Sequence, residues 1–320
     1  MAHELYTLAD GSQSIGYVGK VPWHGLGQQI PENTPLEQWP VLAGLNWGIE
    51  RQSLFFGPEG KAVDSMVALV RSDSGLPLSF MSDRYQVVQP KEILEFYRDL
   101  IDAGGFKMHT AGSMFNGKKV WALAEIGKGV TIKGDHLDGY LLLSTSCDGS
   151  LATTAQFTTV RVVCNNTLTM AVNRTDNRYA VKVPHHSKFN AEMVKEELGL
   201  ANNAWNQFEE DVQAMISRKI RKRDAIMALI RIMGEPGISI EEQTNVITIK
   251  KVFDLFDGNG RGSDLETAKG TAWGLVNAVT QFADHERKTR TVDARMESAW
   301  FGKWEQMKRK AMSECLLLAA

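Results

Sequence analysis

Asn277, Gln281, Asp284 and His285 follow one another at spacings of four, three and one. On a helix the first three share a face, with His285 at its edge. The set would allow a histidine general base oriented by a carboxylate. It describes equally well a polar stripe that hydrogen-bonds a neighbouring helix. No nucleophile or metal motif accompanies it, which favours the stripe. A second set is basic: Arg161, Arg174, Arg178, Lys182 and Lys188 stand within residues 153–190 against Asp176 alone, beside His185 and His186. Cations so gathered suit phosphate, and Tyr85 and Tyr179, with Trp47 and Trp121, offer rings on which bases stack. Arg161 and Asn165 share the strand face opposite Val160, Val162 and Cys164. The turn Asn165-Asn166-Thr167 carries side chains that bond either phosphate or their own backbone. A third set, Arg218, Lys219, Arg221, Lys222, Arg223 and Arg231 against Asp224, reads as phosphate-contacting or as a solvated face.

Other motifs fail on their chemistry. Residues 112–118 match G-x-x-x-x-G-K, but Lys119 stands where a hydroxyl must reach magnesium, and a strand pattern follows where a helix is needed. Asn116-Gly117 between alternating strands reads instead as a two-residue hairpin turn. Asp257-Gly-Asn259-Gly-Arg261-Gly262 begins like a calcium loop but ends on Ala268 rather than a bidentate Glu. Cys147 and Cys164, separated by sixteen residues, lack metal spacing with His185 and His186. No metal and no cofactor are expected, and the three cysteines read as free thiols of a reducing compartment.

These residues need elements to hold them. Residues 1–40 are punctuated by Pro22, Pro31, Pro35 and Pro40 and read as an irregular lead-in arm. Alternation over residues 45–56, 63–71 and 77–88 predicts a three-strand meander, and Pro90 opens a helix reaching Asp102, giving a β-β-β-α unit. Strands follow over 106–111, 118–126, 137–146, 152–164 and 179–183, with 167–172 ambiguous between strand and helix. Near Ser187 the period changes to that of amphipathic helices. Five are predicted: one from about 187 to 215, three around 226–233, 246–256 and 264–282, and one over 292–318. The expected fold class is α+β, with an antiparallel-sheet domain over 1–185 and a helical domain over 186–320.

The chain has 320 residues, 36 Lys plus Arg and 38 Asp plus Glu, a formal net charge of −2. Apolar residues form 43% and charged residues 23%, values that exclude a disordered or collagen-like chain. Charge is uneven: residues 1–140 hold 12 basic and 16 acidic side chains, and residues 141–320 hold 24 and 22. The opening residues show no signal-peptide pattern and no apolar run is long enough to span a bilayer, so a cytoplasmic protein without membrane contact is expected.

Four ordered blocks carry a resemblance: His24-Gly-Leu-Gly27, Ser82-Asp-Arg-Tyr-Gln-Val-Val-Gln-Pro90, Val160-Arg-Val-Val-Cys-Asn-Asn-Thr-Leu168, and Thr271 through His285. Together, over residues 20–310, they resemble the phage/plasmid-like proteins of an uncharacterised domain family. That resemblance implies a mobile-element protein of the bacterial cytoplasm, set among DNA-processing genes, and transfers no catalytic residue. The β-β-β-α unit also resembles the core of single-strand annealing recombinases, which implies an oligomer with a basic groove for single-stranded DNA. The expectation is therefore a non-enzymatic DNA-binding, single-strand annealing protein of DNA recombination, contacting its strand through Tyr85, Arg161, Asn165, Arg174, Arg178, Tyr179, Lys182 and Lys188. The alternatives are an oligomeric scaffold that binds a phage or host protein, and an enzyme with a site near Asp284 and His285. Trp300, Phe301 and Trp304, crowded within a turn and a half, point to a homo-oligomer.

Overall fold

Gly and Pro punctuation separates the alternating segments cleanly, and each becomes a strand in the computed structural model. It describes residues 13–22, 24–102, 104–161, 166–169, 180–199 and 202–320. Contacts divide the chain into two units: Met1–Gly127, Tyr140–Gln156 and Ala180–Leu198 in the first, and Lys128–Gly139, Phe157–Tyr179 and Gly199–Ala320 in the second.

The first unit opens with β1 (Ile15–Tyr17), β2 (Gln28–Gln29) and the single turn α1 (Trp39–Leu42). The lead-in is therefore partly sheet: β1 pairs parallel with β2 and antiparallel with β6 (Lys107–Met114). Gly112 makes that pairing possible, because a Cβ there would stand 2.7 Å from the Ser14 carbonyl oxygen. Strands β3 (Ile49–Phe56), β4 (Lys61–Arg71) and β5 (Pro77–Ser82) form a separate antiparallel meander. The helix expected over 90–102 is two pieces, α2 (Pro90–Glu95) and α3 (Arg98–Asp102). Between them Phe96 and Tyr97 are buried, and the Tyr97 hydroxyl accepts from the Leu143 N–H at 2.9 Å. The main sheet continues through β7 (Lys119–Ile132), β8 (Asp135–Ser146) and β9 (Thr153–Arg161), each of which has residues in both units.

The β6–β7 hairpin holds as expected, but its turn does not. Met114 pairs with Lys119, leaving four residues in the loop, of which Phe115, Asn116 and Gly117 all have positive φ. The ambiguous segment is strand, β10 (Asn166–Thr169), antiparallel to β9; β11 (Ala180–Val183) also pairs with β9.

Helices follow: α4 (Ala191–Gly199), α5 (Asn202–Ser217), α6 (Lys222–Met233), α7 (Ile240–Thr244), α8 (Ile247–Asp254), α9 (Ala272–Gln281), α10 (Val292–Trp300) and α11 (Lys303–Ala319). The expected first and last helices are thus each two. The expected fourth starts eight residues late, because Gly262 and Gly270 adopt positive φ and Thr271 caps α9 by accepting from the Gly274 N–H at 2.9 Å. Every residue of α9 is buried, and it packs among α5, α8 and α11 as the central helix of the second unit. The whole is an α+β fold, with antiparallel sheet in the N-terminal half and helices in the C-terminal region.

Candidate functional site

The meander leaves one face open. Cross-strand register puts Gln52, Ala68 and Phe80 in one row and Ser53, Val67 and Met81 in the next. Adjacent rows face opposite ways. Ser79 Oγ donates to the Cys147 carbonyl at 2.5 Å, and the Met81 side chain lies beside Gly149, so this face turns onto the body of the unit. Phe80 therefore looks outward, 58% exposed. Met66 lies two residues from Ala68 on the same face, and Phe55 pairs with Ala62 past a register shift. They are 39% and 64% exposed. The Phe80 ring and the Met66 thioether on this face, with the exposed Phe55 ring beyond the shift, offer apolar surface for stacking. Exposed Gln52 and Ser82 share its rows.

None of these rings was picked out from the sequence. A signal was there: Phe55 and Phe56 are adjacent at a strand end, and two neighbours in a strand cannot both face one core. The rings that were picked lie elsewhere. Trp47, Tyr85 and Trp121 are buried, so they correct the stacking expectation. Trp47 carries the Arg71 guanidinium 4.0 Å from its ring centre. Tyr85 stacks on His185 at 4.5 Å and donates its hydroxyl to the Ser146 carbonyl at 2.9 Å, and burial raises its pKa far above the phenol range.

Of the expected phosphate contacts, Lys182 on β11 and Lys188 are exposed. The backbone of Arg161 ends β9; its side chain, with Asn165, Arg174, Arg178 and Tyr179, lies outside the described residues. The third basic set is largely paired: Arg221 with Asp224 at 2.8 Å, Lys222 with Asp257 at 2.6 Å, and Arg231 with Glu314 at 2.7 Å. That is the solvated, acid-paired face.

The polar stripe of α9 is spent on packing. Asn277 donates to the Trp273 carbonyl at 2.9 Å, and Gln281 Oε1 accepts from the Arg261 N–H at 2.7 Å. Asp284 is wholly buried against Lys308 at 3.0 Å, a partner sequence reasoning missed. Trp300 is buried and Trp304 packs on Phe282 with ring centres 5.2 Å apart. Of the aromatic cluster that suggested assembly, Trp300 is therefore internal, and Phe301 and Trp304 are half-buried.

The other resemblance blocks also serve architecture. His24 Nδ1 accepts from the Leu26 N–H at 3.1 Å, and burial, then the charge of His109, drops its pKa to about 3. Gln89 bridges to β3, accepting from the Ile49 N–H at 2.7 Å and donating to its carbonyl at 3.0 Å. Arg51 donates to the Tyr85 carbonyl at 2.8 Å and to that of Asp83. In the second unit Asp135 accepts from Thr267 at 2.9 Å and from the Trp273 indole at 3.4 Å.

Across the β7–β8 hairpin His136 bonds Thr131 at 2.6 Å and Asp138 at 2.8 Å. This is a hydroxyl–imidazole–carboxylate row, but it stands on an exposed hairpin and stiffens it. Among the described residues no group of three or more His, Cys, Asp or Glu could hold a metal ion. Cys147 is buried, and burial pushes its thiol up to about 12. Among the described residues no helix is long and apolar enough to cross a membrane.

A family model described as Domain of unknown function (DUF932) matches residues 77–300. Neither the curated proteins nor the solved structures contain a match.

Proposed function

Since the chain belongs to the DUF932 family, whose description leaves the activity open, we propose from its open aromatic sheet that it binds single-stranded DNA without chemical turnover, in annealing or recombination on a phage or plasmid. The observation that carries the reading is the exposure of Met66 and Phe80 on one face of a sheet whose Ser79 row is engaged, with the exposed Phe55 ring beyond the register shift of the same sheet. Stacking on such rings tolerates any sequence, and the backbone is held by cations. Lys182 and Lys188 are exposed, and the sequence adds Arg161, Asn165, Arg174, Arg178 and Tyr179 in the same stretch.

The test is a binding titration of the full chain with single- and double-stranded oligonucleotides at two salt concentrations. Phe55→Ala with Phe80→Ala should weaken single-strand binding by about 1–3 kcal/mol per stacked base and leave the salt slope unchanged. Replacing Arg161, Arg174 and Arg178 by Gln should flatten the slope by roughly two units, at about 0.7 per phosphate. A parent chain without salt-dependent binding sinks the reading.

One observation favours the scaffold alternative. Gln52 and Ser82, not cations, stand in the rows of Phe80 and Met66. A homo-oligomer in light scattering that dissociates in the Phe55→Ala, Phe80→Ala variant, with no binding to DNA, would establish that role instead.

A further inference from the structure

Arg287 and Arg295 bury part of their guanidinium N–H groups beyond α9. Nε and Nη2 of Arg287 and Nε of Arg295 are closed to solvent and lack an acceptor among the described residues. The local chain brings the two arginines together. After α9 the segment Phe282–Glu286 makes a wider turn, and Arg287 leaves it in extended backbone. Thr291 then caps α10, its hydroxyl accepting from the Ala294 N–H at 3.2 Å, which sets Arg295 in the first turn. Arg295 uses Nη1 on the His285 carbonyl at 2.9 Å, and Arg287 lies over Trp304 with its guanidinium carbon 5.8 Å from the ring centre. Burial first, and then the charge of Arg295, hold the Arg287 pKa below the ordinary guanidinium value; Glu297 acts in the opposite sense. Two like charges side by side, with N–H groups closed to solvent and donors to spare, form an unfavourable arrangement until an anion completes it.

We propose that Arg287 and Arg295 form a binding site for a phosphate-type oxyanion, carried either by a nucleic-acid backbone or by a small phosphorylated molecule. The planar fork of a guanidinium matches two oxygens of such an anion at once, where a lysine gives only a point charge. Arg287 is half-buried, so its flexible stem can turn the Nε–Nη2 edge toward an arriving anion. Lys288 and Arg290, exposed on the same connection, raise the local positive potential. The proposal uses no residue of the Phe80 face or of the stretch 153–190.

The full chain is titrated with inorganic phosphate against chloride at matched ionic strength, read by calorimetry and by the thermal midpoint. Saturable binding and a raised midpoint are expected. Arg287→Gln with Arg295→Gln should raise the phosphate Kd by about tenfold or more. Arg287→Lys with Arg295→Lys, which keeps charge and loses the fork, should fall between, and Lys61→Gln should bind as the parent does. Displacement of phosphate by an unphosphorylated oligothymidylate identifies the backbone as the source. Displacement by a nucleoside monophosphate alone identifies a small molecule. No phosphate effect beyond chloride in the parent, or a parent-like Kd in the double Gln variant, overturns the site. If that variant does not fold, phenylglyoxal labelling of the parent decides: phosphate must protect Arg287 and Arg295. The Phe55→Ala, Phe80→Ala variant keeps its phosphate binding, so the two readings fail separately.

Discussion

Lys308 Nζ stands 3.0 Å from Asp284 Oδ1, with side-chain exposures of 1% and 0%. The pair ties α11 to the turn that follows α9. Removing one partner leaves an uncompensated buried charge, so Lys308→Met alone should cost about 3–5 kcal/mol. The double variant Asp284→Leu, Lys308→Met removes both charges and should lose far less than the two single changes combined. Urea unfolding measures all three, and strict additivity would show that the pair is not coupled.

Gly274 sits against the loop before its own helix. A Cβ there would stand 1.9 Å from the Ala268 carbonyl oxygen, which is backbone and cannot rotate away. Gly274→Ala should therefore destabilise the second unit by roughly 1–3 kcal/mol or more, although alanine favours helix. A thermal midpoint equal to that of the parent would contradict this packing.

His24 makes stability depend on pH. Its folded pKa is lowered from 6.5 to about 3 by burial and by His109. Between those values the unfolded chain binds the proton and the folded chain does not. The contribution is thus complete above pH 6.5 and is lost as pH falls, at up to about 1.4 kcal/mol per unit. His24→Gln should flatten the stability profile between pH 6 and pH 4. An unchanged profile would place the titrating group elsewhere.

Cys147 should resist alkylation. Its thiol is buried and pushed up to about 12, so the reactive thiolate is scarce at neutral pH. Iodoacetamide followed by peptide mapping should show slow labelling of Cys147 in the folded chain and rapid labelling in urea. Rapid labelling of both would mean that β8 opens locally.

Much of the fold was legible because it rests on local chemistry. The meander could be read from alternation and from the turns at Gly57-Pro58 and Ser72–Gly75, and Pro90 marks the start of α2. The start of α9 was not legible. Residues 264–271 have helical composition, yet Gly262 and Gly270 at positive φ hold them in turns until Thr271 caps the helix. The break between α2 and α3 escaped for a similar reason, because the burial of Tyr97 outweighs helical propensity there.

Sequence by itself determined the α+β class, the period change near Ser187 and the local basic stretches, since periodicity and charge are properties of neighbours along the chain. Tertiary structure decided which side chains remain in water. Trp47, Tyr85 and Trp121 could equally have been exposed rings, yet they are buried, while Phe55 and Phe80 stay open to solvent. It also decided that Asp284 meets Lys308, twenty-four residues on. Pairing across helices depends on how they cross, and no spacing along one helix encodes that angle.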